Sequence, residues 1–391
     1  MRIFIINTDY SRFLLHHYAR HPSLATASYR EQMQARERSF FGVFDAYSKA
    51  FQSCGHEAIE VHANNGLMQR QWMLESGHRP PFAWKLPARV DFLLRRVANR
   101  LLPLPFDTSN ALRSPFDIAP WKLTDILVAQ VKAFRPDVIL NQSVSEVGSD
   151  LLELLRPHAR LIVGQIASPL PEHEDYRAYD MMISSLPNFV DHYRAVGLKA
   201  ELNRLAFDRR ALDAVGVPLR DVDVSFVGSI SPAHPARTAL LDHVCRRIDV
   251  QVWGNGLETL PADSSIHRHY RGEAWGKDMF TALARSRITI NTHIGIAEHY
   301  ANNMRLYEAT GMGALLVTDK KSNLADMFEA GKEVVCYESP EQCLELVEFY
   351  RSREAERARI AAAGQRRTLA EHTYVRRAEE FLATCKAMLD S

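Results

Sequence analysis

A short buried strand, a polar loop, a helix and a second buried strand follow one another in the last third of the chain. Short apolar runs predict the two strands at 288–291 and 314–317. The helical period predicts the helix between them, with Asn302 or Asn303 as its cap and Gly311 near its end. Because such units join the strands of a sheet through helices that cover it, this stretch restricts the chain to an α/β fold.

The N-terminus of this helix is also a candidate ligand site. Free amide groups and the positive end of the helix dipole suit a phosphate there. Arg305 would add a bidentate phosphate contact, and Glu308, one turn further, would accept hydrogen bonds from vicinal hydroxyls. The alternative is an exposed pair of opposite charges that stabilises the helix by about 0.2–0.5 kcal/mol. The spacing alone leaves both interpretations open.

Strand and helix patterns alternate along most of the chain. The first strand covers 2–6, and a long helical pattern follows at 29–54. Later in the chain we expect a strand edge at 267–272 and a helix at 323–328. A chain of 391 residues is too long for one ordinary core, so we expect two domains with a break near 205–220.

The central stretch also carries a family motif. Its residues are Asn303-x-Arg305-x-x-Glu308-Ala309-x-Gly311-x-Gly313, followed by Leu315-Leu316-Val317-Thr318-Asp319. With further matches at 223–229, 252–256 and 371–378, this part of the chain resembles the C-terminal half of CgeB-type proteins. Those proteins are relatives of the group 1, or family 4, retaining glycosyltransferases of the GT-B fold. The resemblance covers about residues 220–385.

The resemblance implies a GT-B architecture, in which two Rossmann-like, doubly wound α/β domains face each other across a cleft. The implied N-terminal domain is 1–205, on the acceptor side, with a helical insertion at about 64–120. The implied nucleotide-sugar-binding domain is 206–372. The last helix, at 373–391, is then expected to cross back onto the N-terminal domain.

The resemblance also implies where the donor binds. It places the diphosphate at the loop of Gly228 and Ser229, with Arg237 nearby, and it places the nucleobase close to the loops of Trp253, Gly254 and Arg271. Glu308 matches the family glutamate at the ribose. Asn303 and Arg305 would contact the phosphates from the helix N-terminus described above. The family has two glutamates eight residues apart, of which Glu308 matches the second. Tyr300 occupies the position of the first, which lies near the donor sugar. Glu298 is two residues out of register, and we take it with Arg305 as a candidate catalytic residue.

The implied reaction transfers a sugar from a nucleotide-sugar donor to a glycan, lipid-linked or protein acceptor. Helix termini and arginine, rather than a metal or another cofactor, would neutralise the leaving diphosphate. A retaining reaction, as in the parent group, needs no dedicated base. An inverting reaction needs one, and Asp9 is the candidate because it follows the first strand, at the edge where α/β sheets bind ligands. A loop aspartate that caps the next segment is the alternative.

Two other functions stay open. A scaffold protein that keeps the fold without catalysis would explain Tyr300 in place of a glutamate. A sugar-nucleotide epimerase can share the fold, although we identify no acid and base for the hexose. The run Gly254-Asn255-Gly256 partly matches a dinucleotide fingerprint, but no helix pattern follows it, which argues against NAD.

Composition restricts the partners and the compartment. A net charge of +1 gives no support for a nucleic-acid partner. Five scattered cysteines without a C-x-x-C pair, and no apolar run of eighteen residues, indicate a cytoplasmic protein. Within 84–106, an amphipathic helix at 88–102 aligns Arg89, Arg96 and Arg100. It would rest on the inner face of a membrane or border the acceptor; a solvated helix face is the alternative.

Overall fold

The computed structural model describes residues 1–78, 124–171, 175–230 and 234–390. The predicted amphipathic helix with its three arginines lies outside these residues, as does most of the predicted insertion at 64–120. The membrane contact suggested for that helix therefore stays a prediction.

The chain forms two compact units that are not simply its first and second halves. The first unit consists of Met1–Arg38, His56–Ile166 and Leu170–Met181. The second consists of Ser39–Gly55, Ala167–Pro169 and Met182–Ser391. The second unit thus includes several segments of the predicted N-terminal domain, among them Ser39–Gly55.

The first sheet is parallel and doubly wound. Its strands are β1 Arg2–Asn7, β2 Glu57–His62, β3 Val138–Asn141, β4 Leu161–Gln165, β5 Met181–Ser184 and β6 Ala200–Leu202. Their order across the sheet is β2-β1-β3-β4-β5-β6. β1 pairs in parallel with β2 and with β3, and β3 pairs in parallel with β4. The order reverses at β1, as expected where the chain winds outward first in one direction and then in the other.

The second sheet repeats this winding. Its strands are β7 Val222–Val227, β8 Val250–Trp253, β9 Ser286–Asn291, β10 Leu315–Asp319 and β11 Val335–Tyr337, in the order β11-β10-β9-β7-β8. The pairs are parallel. Leu315 and Val317 pack into one core cluster and Leu316 into the other, so both faces of the sheet are covered. Burial on both faces explains why the strands are continuously apolar, and both predicted strands of the central stretch are confirmed.

Helices connect these strands. In the described residues they are α1 Ser11–Arg20, α2 Tyr29–Arg38, α3 Ala46–Ser53, α4 Gly66–Glu75, α5 Thr124–Phe134, α6 Ser149–Leu155, α7 Pro187–Ala195, α8 Arg210–Val215, α9 Pro235–Cys245, α10 Lys277–Arg285, α11 Arg305–Gly311, α12 Pro340–Ser352, α13 Glu354–Glu371 and α14 Tyr374–Asp390. None of the helices in the described ranges combines the length and the apolar character that a membrane crossing requires.

The helix predicted at 29–54 is wrong, because two helices, α2 and α3, occupy this stretch. Between them Phe40 and Phe44 adopt φ angles of 56° and 35°, which a helix cannot continue through. The carbonyl oxygen of Ser39 accepts a hydrogen bond from the amide of Lys277 at 2.8 Å. A contact from far along the sequence therefore holds the break, and the helical period on either side does not reveal it.

The strand predicted at 267–272 is also wrong. A 3-10 helix, Ser265–His269, occupies most of the stretch, and Tyr270 alone forms a bridge, to β8. The side chain of Ser264 accepts a hydrogen bond from the amide of Ile266. Serine side chains that bond to nearby backbone in this way favour tight turns over strands.

The helix predicted at 323–328 shortens to a single 3-10 turn, Leu324–Asp326. The side chain of Asn323 accepts from the amide of Ala301 at 2.6 Å instead of capping a longer helix. Because its side-chain oxygen bonds to a neighbouring loop, Asn323 does not cap the N-terminus of an α-helix.

The last helix packs against a segment from the beginning of the chain that belongs to the same unit, so its expected crossing onto the N-terminal domain stays a prediction. α14 packs against α3, which lies among the first 55 residues. The rings of Tyr47 and Tyr374 are 5.1 Å apart, and those of Phe51 and Phe381 are 5.3 Å apart. These aromatic pairs join the two ends of the sequence within the second unit.

Asp9 follows β1 and lies in a buried ion pair of the first unit. Arg36 Nη2 is 2.6 Å from Asp9 Oδ1, and the two side chains are 3% and 0% exposed. His62 Nδ1 lies 3.3 Å from the same oxygen. Burial alone would raise the pKa of Asp9, but Arg36 and His62 hold the pKa well below its usual range. A carboxylate of such low pKa accepts a proton poorly, so this geometry favours a structural role, and the role of Asp9 as a base stays a prediction.

We expect Asp9→Asn to lower the free energy of unfolding by about 3 kcal/mol at neutral pH, because it leaves the buried Arg36 without its counter-charge. The folded-state pKa of Asp9 is depressed, so the contribution is present above the unfolded pKa of about 3.9 and is lost as the pH falls below it. Urea denaturation at several pH values measures both effects. The control is Asp150→Asn, whose side chain is 96% exposed. Equal stability of wild type and Asp9→Asn at neutral pH would contradict the structural role.

Candidate functional site

The candidate site lies at the carboxyl edge of the second sheet. β7 and β9 are neighbours there, but β7 leads through α9 to β8 on one side, and β9 leads through α11 to β10 on the other. Where the order of a sheet reverses in this way, the diverging connections leave a crevice in which α/β folds bind ligands. Several residues predicted from the sequence converge on this crevice from both connections.

Arg305 and Glu308 form a buried ion pair in the first turn of α11. Arg305 Nη1 lies 2.6 Å from Glu308 Oε2, and the side chains are 14% and 7% exposed. Arg305 Nε also donates to the carbonyl oxygen of Val227, at the end of β7, at 3.0 Å. Burial raises the pKa of Glu308, and the charge of Arg305 opposes this effect. The pair therefore exists as its spacing indicated, but it is a buried pair at a strand end and not a surface pair.

Arg237 approaches the same strand ends from α9. Its Nη1 donates to the carbonyl oxygen of Ser229 at 3.0 Å, and its Nη2 donates to that of Thr292 at 3.3 Å. Its Nε is buried and has no hydrogen-bond partner among the described residues. Burial, together with the charge of Arg305, lowers the pKa of Arg237 to about 10. Arg237 therefore stays cationic at neutral pH, and two partly buried arginines at one strand edge favour an anionic ligand.

Asn303 caps α11, as predicted. Its Oδ1 accepts from the amide of Leu306 at 3.1 Å. Its Nδ2 donates to Asn291 Oδ1 at 2.8 Å and to the carbonyl oxygen of Thr292 at 3.3 Å. α11 has only seven residues, and Asn303 already occupies one of its free amides. We therefore attribute the affinity for an anion to the two guanidinium groups and not to this helix terminus.

The loops after β7 and β8 lie against each other beside Arg237. The amide of Gly228 donates to the carbonyl oxygen of Trp253 at 2.9 Å. A Cβ atom at Gly254 would lie 1.8 Å from the carbonyl oxygen of Gly228, so this close approach requires glycine. Because the next carbonyl, of Ser229, accepts from Arg237, the structure brings these five residues of the predicted donor site together.

Arg271 is not part of this group. Its amide donates to the carbonyl oxygen of Val252 at 2.8 Å, which fixes the backbone beside β8. Its half-exposed guanidinium extends toward Asp249, 3.9 Å away, and Asp249 immediately precedes β8. The side chain therefore points along β8 away from the crevice, and its contact with a nucleobase stays a prediction.

Glu298 lies in a strained loop after β9. Its φ and ψ angles are 51° and −118°, outside the regions that side chains favour. Its exposed carboxylate is 3.4 Å from Asn188 Nδ2, and its carbonyl oxygen accepts from Lys321 at 2.8 Å. Tyr300, two residues on, contacts the ring of His299. Strained backbone is common at functional sites, but a donor-sugar contact of Glu298 stays a prediction.

The expectation of metal-independent transfer overlooked one Asp-x-Asp pair, Asp221 and Asp223. Both lie at the amino end of β7, the end opposite Val227. Asp221 pairs with Arg285 at 2.7 Å and Asp223 with Arg351 at 2.9 Å. These carboxylates therefore serve surface ion pairs away from the crevice. In the part of the chain that the structure describes, no three His, Cys, Asp or Glu side chains are grouped as metal ligands.

A histidine–aspartate pair, which we did not predict, joins the site. His293 Nδ1 lies 2.6 Å from Asp319 Oδ1, which also accepts from the backbone amide of His293 at 3.0 Å. Burial would raise the pKa of Asp319, but His293 and Lys321 together lower it. The charge of Asp319 also acts on Arg237. The sequence carried one signal for this pair, since both residues lie at the ends of strands that are neighbours in the sheet.

Comparison with protein families matches the part of the chain that contains this site. A family model described as glycosyl transferase-like matches residues 237–383, which include Arg237, His293, Arg305 and Glu308. A search of curated protein sequences finds no match.

Solved structures share the fold of the whole chain. AviGT4, a glycosyltransferase involved in avilamycin A biosynthesis, matches with a TM-score of 0.56 and 14% identity over 100% of this chain and 98% of its own. HepE from Anabaena, in complex with UDP and glucose, matches with a TM-score of 0.53 and 13% identity over 99% and 100%. Sucrose-phosphate synthase from Thermosynechococcus elongatus matches with a TM-score of 0.55 and 10% identity over 100% and 99%.

The predicted fold class is confirmed, because the chain has two parallel α/β sheets and its fold matches these glycosyltransferase structures over nearly all of its length. Residues 237–383, which match the glycosyl transferase-like model, contain Arg237 and Arg305 of the crevice. The chain that carries these residues is a transferase of the GT-B fold.

Proposed function

We propose that the chain transfers a sugar from a nucleotide-sugar donor to a hydroxyl group of a glycan, lipid-linked or protein acceptor. The observation that carries this proposal is the pair of partly buried guanidinium groups, Arg237 and Arg305, at the crevice of the second sheet. Each is hydrogen-bonded to a carbonyl oxygen at or just beyond a strand end, so both are in place before a ligand binds. Cations fixed in this way stabilise the charge that develops on a departing diphosphate.

The unpartnered Nε of Arg237 supports a phosphate ligand in particular. A buried N–H group without an acceptor costs free energy, and a phosphate oxygen would supply the acceptor. The solved structures of HepE contain UDP, UDP with glucose, and UDP-glucose. That similarity in fold makes a nucleoside diphosphate sugar the donor class that we propose here.

Glu308 is our proposed ligand for the ribose of the donor. One carboxylate oxygen is held by Arg305, which keeps the side chain in a fixed orientation. Burial raises the pKa of this carboxyl, so the ionised form lacks part of its solvation. Hydrogen bonds donated by the two ribose hydroxyls would restore that solvation, and a neutral sugar edge therefore suits Glu308 better than a second anion.

Three finer features belong to the same proposal. We place the chain in the CgeB-like branch because of its motif residues around Asn303, Arg305 and Glu308. We propose that transfer proceeds without a metal, with the two arginines neutralising the leaving group. We further propose retention of configuration, since the front-face scheme needs no dedicated base and Asp9 is held in an ion pair of low pKa.

We expect Glu308→Gln to weaken binding of the nucleoside diphosphate by about 1.5–3 kcal/mol, the value of a charge-assisted hydrogen bond. Glutamine keeps the shape of the side chain and an oxygen for Arg305 but removes its counter-charge, so the melting temperature should fall, and the affinities are compared at a temperature at which the variant is folded. Calorimetric titration with UDP, GDP and ADP measures the affinity, and Glu345→Gln, at an exposed position on α12, is the matched control. Unchanged affinity in Glu308→Gln would exclude the ribose contact.

Arg237→Gln should reduce kcat by about 100-fold or more, because it removes one of the two cations that stabilise the leaving diphosphate. The matched control is Arg247→Gln, an exposed residue just after α9, which should retain wild-type kcat. Release of nucleoside diphosphate from the donor, with and without acceptor, provides the measurement. A variant with normal kcat would mean that Arg237 has no part in the leaving-group step.

Activity should persist in excess EDTA, since arginine and not a divalent cation neutralises the diphosphate in this proposal. The measurement is nucleotide release before and after chelation, with Mg²⁺ or Mn²⁺ added back. Strict dependence on either ion would contradict the proposed role of the arginines as the main counter-charge.

A further inference from the structure

The imidazole of His293 is completely buried, and one of its two nitrogens has no partner. The side chain is 0% exposed, and Nδ1 lies 2.6 Å from Asp319 Oδ1. Nε2 has no hydrogen-bond partner among the described residues. Buried polar atoms in folded proteins are nearly always paired, so an unpaired ring nitrogen beside a ligand crevice indicates a missing ligand atom.

Asp319 determines which ring nitrogen carries the hydrogen. Its Oδ1 accepts from both the backbone amide and Nδ1 of His293, and its Oδ2 lies 3.5 Å from Lys321 Nζ. A carboxylate at Nδ1 places the hydrogen there, and in that tautomer Nε2 presents a lone pair. Nε2 is therefore an acceptor, and its complement is a group that donates a hydrogen bond.

The loop that carries His293 also anchors Arg237 and Asn303. The carbonyl oxygen of Thr292, the preceding residue, accepts from Arg237 Nη2 and from Asn303 Nδ2, each at 3.3 Å. An acceptor here suits a hydroxyl group better than a phosphate, because phosphate oxygens are themselves acceptors. In a nucleoside diphosphate sugar, the hydroxyl groups joined most closely to the diphosphate are those of the transferred sugar and of the ribose, and we assign the ribose to Glu308.

We propose that His293 Nε2 accepts a hydrogen bond from a hydroxyl group of the transferred sugar and so contributes to the choice of that sugar. This inference rests on the proposed function, because it requires a nucleotide-sugar donor. It also offers a substitute for the family glutamate whose position Tyr300 occupies. A site built around a buried acceptor discriminates strongly against a sugar that lacks the matching hydroxyl, because the acceptor is then left unpaired.

Two substitutions distinguish the contribution of Nε2 from that of Nδ1. In His293→Asn the side-chain amide takes the place of Nδ1 and can still bond to Asp319, but nothing replaces Nε2. In His293→Gln the longer side chain brings an amide oxygen near the position of Nε2. His299→Asn, at an exposed histidine of the same loop, is the matched control.

The experiment titrates wild type and the variants with UDP, GDP and ADP and with their glucose conjugates. We expect wild type to bind one glucose conjugate more tightly than the corresponding diphosphate. His293→Asn should lower this ratio of affinities by about tenfold, the effect of one hydrogen bond, while the affinity for the diphosphate changes less than about twofold. His293→Gln should recover part of the ratio, and His299→Asn should leave it unchanged.

Three results would overturn the inference, and they differ from failure of the proposed function. An unchanged ratio in folded His293→Asn would show that Nε2 does not contact the sugar. An equal loss of diphosphate and conjugate affinity would place His293 at the phosphates. A fall in kcat with an unchanged ratio would make it a base instead. Failure of wild type to bind any nucleotide would overturn the proposed function itself, and this inference with it.

Discussion

The guanidinium group of Arg305 is bonded at the same time to its own helix and to a neighbouring strand, through Glu308 and the carbonyl oxygen of Val227. A buried charge is tolerated only where its partners are fixed, so this contact sets the position of α11 against β7. Arg237 links Ser229 to Thr292 in a similar way. Arginine contacts, as well as apolar packing, therefore hold the crevice at the reversal point of the sheet. The same two arginines fix its shape and give it positive charge.

Local patterns were sufficient for most of the fold. A strand buried on both faces is a continuous apolar run, so β9 and β10 were visible in the sequence. The break between α2 and α3 was not, because both helices keep their own period and the contact that separates them joins Ser39 to Lys277. What periodicity missed here is a tertiary contact, which no window of neighbouring residues contains.

The candidate site, like the fold, was only partly predictable from the sequence. The spacing of Arg305 and Glu308 predicted their pairing. It did not predict that the pair is shielded from solvent, because that depends on the contact of Arg305 with the end of β7. His293 and Asp319 are 26 residues apart and meet only because β9 and β10 are adjacent. Asp9 follows a strand in the sequence, and this position does not reveal whether its carboxylate faces a ligand or a buried arginine. Only the structure distinguishes the two cases.

The packing of α14 on α3 sets the order in which the protein can be completed. Roughly 320 residues separate the end of α3 from the start of α14, so translation takes about 16–64 s to supply the partner of α3. Throughout that interval the aromatic side chains of Tyr47 and Phe51 lack the rings that cover them in the finished protein. The second unit therefore closes only when the final helix meets a segment made at the start of synthesis. A ribosome that stalled before Tyr374 would release a chain whose exposed surface lies near its beginning.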